Sequence, residues 1–187
     1  MARKVGLTTG AVTTAAAELA DQHGLAGVTL AAVAQRLGVR SPSLYAHVDG
    51  LGGLRRSLAL LAMAAMASGL RSARRGRQGA EALRALAQAY RGFVLSHPGW
   101  YAAALQSVPQ GRDDELYGAL ADLVVPFVET LAEMGVPPGE VIHQTRAIRS
   151  ALHGFVSLER TNGFGMPSDF DGSFDRMVEM LVRGLGG

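Results

Sequence analysis

The stretch LGVRSPSLYAHVDG, residues 37–50, places an arginine, several hydroxyl groups and a histidine within one short segment. So many polar groups do not suit a buried helix, and a solvated loop would not need the leucine and valine between them. Ser41 followed by Pro42 predicts the start of a short helix, because the hydroxyl can cap free N–H groups and proline is tolerated at the first helical position. Leu44 and Val48 lie four residues apart and predict its inward face.

The residues before this stretch predict two further helices. Apolar residues at helical spacing from Val12 to Leu19 predict a first helix that ends near Gly24. Thr29 stands at the N-cap position of a second helix, and Gly38 ends it. Because the second and third helices are short and separated by three residues, the spacing is that of a helix-turn-helix. An ordinary helical hairpin fits the same spacing.

The outer face of the third helix favours the helix-turn-helix. With 100° per residue and two apolar residues inward, three residues face outward and three flank them: Pro42, Ser43 and Ala46, and Ser41, Tyr45 and His47. No carboxylate lies on this face, and Arg40 stands at its entrance. A DNA major groove requires a slim surface with hydrogen-bond donors and no negative charge. The pattern therefore predicts a DNA-reading helix.

The same residues resemble a known family. The pattern Thr29-Leu30…Val33-Ala34…Leu37-Gly38-Val39…Leu44-Tyr45…His47-Val48 resembles the N-terminal domain of the TetR family of transcriptional repressors, densely over residues 8–56. The resemblance implies a phosphate contact by Thr29 and groove and phosphate contacts by Tyr45 and His47. It implies that the base-reading entrance is formed by Arg40, Ser41, Pro42 and Ser43.

One position departs from the family pattern. The family often has a phosphate-binding lysine where this chain has Leu51. Backbone N–H groups at the start of the fourth helix can bind phosphate instead. We expect the N-terminal arm, with Arg3 and Lys4, to supply additional positive charge.

Composition agrees with a helical protein that has an anionic partner at one end. The 187 residues are 48% hydrophobic and only 6% aromatic. Residues 1–56 carry six basic and three acidic side chains, whereas the whole chain has a net charge of +2. Cysteine is absent, which excludes disulfides, a thiol nucleophile and a cysteine-ligated zinc site. No segment suggests a signal peptide or membrane span, so we expect a soluble, cytoplasmic protein.

The rest of the chain also predicts helices, and no strand pattern or repeat. We expect an all-α, TetR-like fold of about nine helices, with a helix-turn-helix DNA-binding domain at residues 1–50 and a helical ligand-binding and dimerisation domain at residues 51–187. The sequence predicts a basic connector over Arg71–Arg77. The predicted helices beyond the first three cover Leu54–Leu70, Glu81–Ser96, Trp100–Gln106, Arg112–Met134, Pro137–Arg160 and Phe170–Arg183.

Residues 151–159, ALHGFVSLE, resemble the C-terminal subtype of TetR regulators named for Trp-His-Gly, with Leu152 in place of the tryptophan. The resemblance implies that this helix and the last one pair with their copies across a twofold axis. His153 fits an interface equally well as a core position. The predicted interface residues are Ile142, Ile148, Leu152, Gly154, Phe155, Phe174, Met177 and Leu181.

A regulator of this kind needs an input, and helical ligand pockets are mostly apolar with a few polar anchors. Taken singly, each candidate fits a core position better than a ligand contact. Trp100 stands out, because it adjoins a Pro-Gly break and a tyrosine. The candidates for an apolar ligand site are Met63, Met66, Tyr90, Phe93, His97, Trp100, Tyr101, Leu105 and Phe127.

Other chemistry is not predicted. Glu140 and His143 form one E-x-x-H unit, whereas a di-iron bundle needs two and further carboxylates. Residues 163–165, Gly-Phe-Gly, lack the third glycine and the strand of a dinucleotide loop. We therefore expect no cofactor, no metal and no enzymatic activity, but a ligand-responsive repressor that binds a palindromic operator as a dimer. The alternatives are a helical small-molecule-binding protein without DNA recognition and a metal-dependent helical-bundle enzyme.

Overall fold

The computed structural model describes residues 7–112, 114–165 and 169–185. These residues form eight α-helices, two short 3-10 helices and no strand, which confirms the all-α class. The second 3-10 helix, Ser41–Ala46, is called the recognition segment below. The other 3-10 helix is Leu25–Gly27. The α-helices are α1 (Thr9–His23), α2 (Leu30–Leu37), α3 (Gly50–Arg74), α4 (Gly79–Ser96), α5 (Pro98–Gln106), α6 (Glu115–Glu133), α7 (Val141–Arg160) and α8 (Phe170–Leu185).

The chain divides into two compact units. The head unit comprises Met1–Ala65 and His97–Ala119, and the body unit comprises Met66–Ser96 and Leu120–Gly187. Because α5 belongs to the head unit, the packing groups it with α1 and α2. The functional division at residue 50 stays a prediction.

The head unit has its own apolar core, built largely from α1, α2 and the first half of α3. Small alanines on α1 allow the neighbouring helices to approach closely. Leu44 is fully buried and Val48 is 7% exposed, as their spacing predicts. The fully buried side chains of this core include Val12, Ala16, Val28, Val33, Leu44, Leu54 and Leu58.

Threonine side chains and a glycine delimit the first two helices of the head unit. Thr29 Oγ1 accepts a hydrogen bond from the backbone N–H of Ala32 at 3.1 Å, which confirms the cap of α2. Thr8 caps α1 in the same way through Ala11 N at 3.1 Å. Gly38 ends α2 in the left-handed region, with φ of 66°. Glycine reaches this conformation without steric cost.

The predicted start of the third helix is wrong in detail. The residue that caps the recognition segment is Arg40, without a side-chain hydrogen bond, and not Ser41. The segment is a 3-10 helix, closed by bonds from Ser43 N to Arg40 O and from His47 N to Leu44 O, both 2.9 Å. Six residues offer little room for i→i+4 bonds, and Pro42 has no N–H to donate.

Other helix boundaries differ from the predicted ones by one to four residues, and two of these differences have a physical explanation. Helix α3 continues to Arg74, so the first half of the predicted basic connector is helical. Contacts made by the Arg74 guanidinium stabilise this end: Nε donates to Thr130 Oγ1 at 3.2 Å, and Nη1 lies 3.2 Å from a Glu129 carboxylate oxygen. Helix α7 starts at Val141 and not at Pro137, because Pro138 disfavours helical geometry at Pro137 and the residues up to Glu140 form a turn, with Glu140 N donating to Pro137 O at 2.8 Å.

In the body unit, α4 packs against α7 and α8, and α7 packs against α8. Its fully buried side chains include Leu86, Leu131, Leu152, Val156 and Phe174. None of the helices in the described residues combines the length and apolar character that a bilayer-spanning helix requires.

Candidate nucleic-acid interface

The recognition segment presents the predicted polar face to solvent. At 63% exposure, Tyr45 is the most exposed aromatic residue in the described part of the chain. Pro42, Ser43 and Ala46 are also exposed, while Ser41 and His47 are partly buried at the flanks. Since Leu44 and Val48 fix the opposite side in the core, the segment cannot rotate this face inward without unpacking them. The packing of Leu44 and Val48 in the core therefore holds the polar face toward solvent.

Two arginines near the entrance of this segment differ in their availability. Arg40 is exposed and has extended backbone geometry directly before the segment, with φ of −86° and ψ of 142°. Arg36 lies on α2 and is held by α1: its Nε donates to Glu18 Oε2 at 2.7 Å and its Nη1 to Gln22 Oε1 at 3.2 Å. Arg40 is therefore the better placed of the two for a base edge.

Thr29 can cap α2 and contact a phosphate at the same time. Its oxygen accepts from Ala32 N, and its hydroxyl hydrogen remains available as a donor. No acidic residue lies in the first turn of α2. No side chain in this turn therefore neutralises the partial positive charge of the helix N-terminus, which favours the binding of an anion such as phosphate.

The start of α3 is compatible with a backbone phosphate contact. Leu51 packs against the core of the head unit, so its side chain is committed to apolar contacts. A Cβ on Gly52 would meet no atom within 4 Å, which leaves space beside the backbone. The first turn contains no acidic residue. The phosphate contact by Leu51 stays a prediction, as do those by Arg3 and Lys4, which lie outside the described residues.

Helix α5 is attached to α1 by hydrogen bonds from three residues at its start. Asp21 Oδ1 accepts from Gly99 N at 2.9 Å, and Asp21 Oδ2 lies 3.0 Å from His97 Nδ1. The Trp100 indole N–H donates to Ala17 O at 3.1 Å. Sequence reasoning missed Asp21, since a single carboxylate on an amphipathic helix gives no signal of a partner 78 residues away. It follows that the head unit includes part of the predicted ligand region.

A second polar contact in the head unit involves α3. Arg56 donates to both carboxylate oxygens of Asp114, at 2.5 and 3.3 Å. Asp114 also accepts from the backbone N–H groups of Gln110 and Leu116, each at 2.9 Å. The hydrogen bond from the Arg56 guanidinium, followed by those from the two backbone groups, holds the pKa of Asp114 well below its usual range. The carboxylate therefore stays charged and fixes the start of α6.

The candidate ligand residues divide between the two units. Met63, His97, Trp100, Tyr101 and Leu105 belong to the head unit, and Met66, Tyr90, Phe93 and Phe127 to the body unit. Leu105 is 42% exposed, Phe93, His97 and Trp100 are partly buried, and the other five are buried. The ligand role of all nine stays a prediction.

The candidate interface residues differ in exposure. Ile148, Leu152 and Phe174 are buried in the body core. Gly154, Phe155, Met177 and Leu181 are partly buried. Ile142 is 47% exposed, and two apolar side chains absent from the predicted set are also exposed, Leu158 at 44% and Met180 at 72%. The interface stays a prediction. The sequence alone did not indicate which of these apolar side chains are exposed.

Within residues 7–112, 114–165 and 169–185, no three histidine, aspartate or glutamate side chains come together in a group that could hold a metal ion.

Comparison with known families and proteins agrees with this geometry. Residues 2–48 match the family of bacterial regulatory proteins, tetR family, and residues 83–181 match the tetracyclin repressor-like C-terminal domain. The chain is 36% identical over 186 residues to YobS of Bacillus subtilis, described as an uncharacterized HTH-type transcriptional regulator, covering 99% of this chain and 96% of that one.

Two solved structures share the fold. BioQ with its natural double-stranded DNA operator superposes with a TM-score of 0.71 at 21% identity, covering 97% of this chain and 99% of that one. A TetR variant from Acinetobacter baumannii AYE in complex with minocycline gives a TM-score of 0.70 at 23% identity, covering 96% of each chain. At such identities the likeness shows the fold alone. With both family matches and the 36% identical relative, the chain belongs to the TetR family of bacterial transcriptional regulators.

Proposed function

We propose that this regulator is a cytoplasmic, ligand-responsive repressor that binds an inverted-repeat operator as a homodimer. The observation that carries the proposal is the exposed face of the recognition segment, which has Arg40 at its entrance, hydroxyl groups along it and no carboxylate. BioQ, which has the same fold, was solved on a double-stranded operator. A twofold dimer places two such faces in successive grooves, so its site is an inverted repeat.

The side chains of this face suit different contacts to DNA, according to the chemistry of each. Arg40 can make a bidentate contact with a guanine edge, which discriminates between bases. Thr29, Tyr45 and the backbone at Leu51 suit phosphates, which fix register without reading sequence. Arg3 and Lys4 add positive charge, which contributes salt-dependent affinity.

The input is a small, apolar molecule. The TetR variant from Acinetobacter baumannii AYE, which has the same fold, was solved in complex with minocycline. The candidate residues in this chain are mainly aromatic and thioether side chains, which suit an apolar ligand. A ligand changes DNA affinity only if it favours one of two conformations. Trp100 belongs to the head unit, and its indole N–H donates to Ala17 O on α1, so a ligand that contacts this ring acts on the head unit itself.

The experiment is a titration of the purified protein against a randomised duplex library at two salt concentrations. We expect enrichment of an inverted repeat and an affinity that falls with salt. A panel of apolar compounds, followed by Trp100 fluorescence, then tests the input. A compound that binds without changing operator affinity would contradict the coupling, and the absence of any preferred duplex would contradict the repressor.

A further inference from the structure

A side-chain hydrogen bond links the start of α1 to the end of the recognition segment. Thr9, the first residue of α1, is exposed, and its Oγ1 donates to the backbone carbonyl of His47 at 3.1 Å. The neighbouring Thr8 already serves as the N-cap of α1 through Ala11 N. The Thr9 hydroxyl is therefore not needed for capping, and its bond spans 38 residues of chain.

The first turn of α1 gives this donor a fixed position. Thr13 Oγ1 donates to the carbonyl of Thr9 at 2.9 Å, and Val12 N donates to Thr8 O at 3.0 Å. Thr13 is itself buried, at 6% exposure. The Thr9 hydroxyl thus projects from a turn that is anchored in the core of the head unit.

The acceptor lies where the recognition segment needs a restraint. His47 follows the last residue of the 3-10 helix, with φ of −124° and ψ of −20°, and its N–H donates to Leu44 O at 2.9 Å. Leu44 and Val48 hold the segment by apolar packing, which is not directional. In the peptide between His47 and Val48, the Val48 N–H donates to Leu44 O at 3.0 Å, and the Thr9 bond restrains the carbonyl on the other side. Because hydrogen bonds are directional, the two together set the orientation of this peptide plane.

We propose that Thr9 is a positioning residue for DNA recognition: it fixes the peptide that follows His47 and so aims the His47 imidazole at the DNA. The proposal rests on the proposed role of His47 as a contact to DNA. Thr9 acts through His47 and need not touch DNA itself.

The test uses Thr9→Val, which keeps the shape and removes the donor, with Thr9→Ser as the rescue. Thr9→Ala serves as a second donor-free variant in case valine disturbs the first turn. Thr8→Val is the matched control, because it removes the cap of α1 but no bond to His47. We expect Thr9→Val and Thr9→Ala to weaken binding to the selected operator about fivefold per subunit, the fold-change of one typical hydrogen bond. Thr9→Ser should bind like the wild type.

A double-mutant cycle separates positioning from general stability. In a His47→Ala background, Thr9→Val should cause no further loss of affinity, because the group that it aims is gone. Thr8→Val should lower the melting temperature, and it should reduce operator affinity by the same factor in the wild-type and His47→Ala backgrounds. In the DNA-free protein, the amide signals of Val48 should shift in Thr9→Val and return in Thr9→Ser.

Full operator affinity in both donor-free variants would overturn the proposal, and so would additive losses of Thr9→Val and His47→Ala. Unchanged Val48 amide signals in Thr9→Val would overturn it without reference to DNA. A wild-type protein that prefers no duplex would instead contradict the proposed repressor function, while the Val48 signals would still report on the bond itself.

Discussion

Gly99 at the start of α5 packs directly against the backbone of Ala20 on α1. A Cβ at position 99 would lie 2.1 Å from both the carbonyl carbon and the carbonyl oxygen of Ala20. Backbone atoms cannot move aside as a flexible side chain can. The two helices therefore require glycine here, and Gly99 N reaches Asp21 Oδ1 at 2.9 Å only because of this approach.

Gly99→Ala should therefore destabilise the protein by about 1–3 kcal/mol, the usual cost of overpacking. Thermal and urea unfolding measure the change. The control is Gly92→Ala on α4, where a Cβ would meet no atom within 4 Å. In that variant the free energy of unfolding should rise by about 0.5–1 kcal/mol, because alanine loses less backbone entropy than glycine when a helix forms. Equal stability of Gly99→Ala and the wild type would contradict the close packing of α5 on α1.

The Arg56–Asp114 pair should make stability depend on pH at the acidic end. The pKa of Asp114 is lower in the folded protein than in the unfolded chain. Its contribution is therefore complete above the unfolded value of about 4 and is lost as pH falls toward the folded value. The free energy of unfolding should exceed that of Asp114→Asn at neutral pH, and the difference should shrink below about pH 4. A difference independent of pH would contradict this account.

Arg91 should be far more important to the body unit than Arg84. Arg91 is 8% exposed and lies 2.5 Å from Glu159 and 2.7 Å from Asp171, with its guanidinium 5.0 Å from the Phe174 ring centroid. Arg91→Ala leaves the carboxylate of Glu159, whose side chain is only 11% exposed, without this partner and should cost about 3–5 kcal/mol. The matched control, Arg84→Ala, removes an exposed pair with Glu179 and should lower the free energy of unfolding far less, because solvent screens the two charges. Chemical denaturation compares the two, and similar losses would contradict the importance of burial.

Assembly can be tested at Gly154 on α7. A Cβ there meets no atom within 4 Å in the single chain, so Gly154→Arg should leave the fold of the subunit intact. At a close twofold interface the same side chain should force the helices apart. We expect the variant to be monomeric in light scattering, with wild-type helicity. Gly92→Arg on α4, outside the predicted interface, should remain dimeric. A dimeric Gly154→Arg would place the interface elsewhere.

Local patterns were sufficient to predict much of the head unit. Thr29 and Gly38 delimit α2 as predicted, and Leu44 and Val48 are buried because their spacing demands it. The 3-10 geometry of residues 41–46 was not predictable, because an α-helix and a 3-10 helix would both place the Leu44 and Val48 side chains inward.

Contacts distant in sequence left no local signal. Asp21 meets Gly99 across 78 residues, and Thr9 meets His47 across 38. Helix α3 extends past its predicted end partly because Arg74 finds partners on α6, and no pattern within residues 71–77 indicates them.

The most direct test of the account is base preference in Arg40→Ala. Arg36→Ala is the matched control, because it removes an equal charge nearby whose side chain is held by Glu18 and Gln22. Each variant is titrated against the randomised duplex library beside the wild type. We expect Arg40→Ala to lose about 1–3 kcal/mol of discrimination at one symmetric pair of operator positions, and Arg36→Ala to keep the wild-type preference. An unchanged preference in Arg40→Ala would contradict the assignment of this face to base reading.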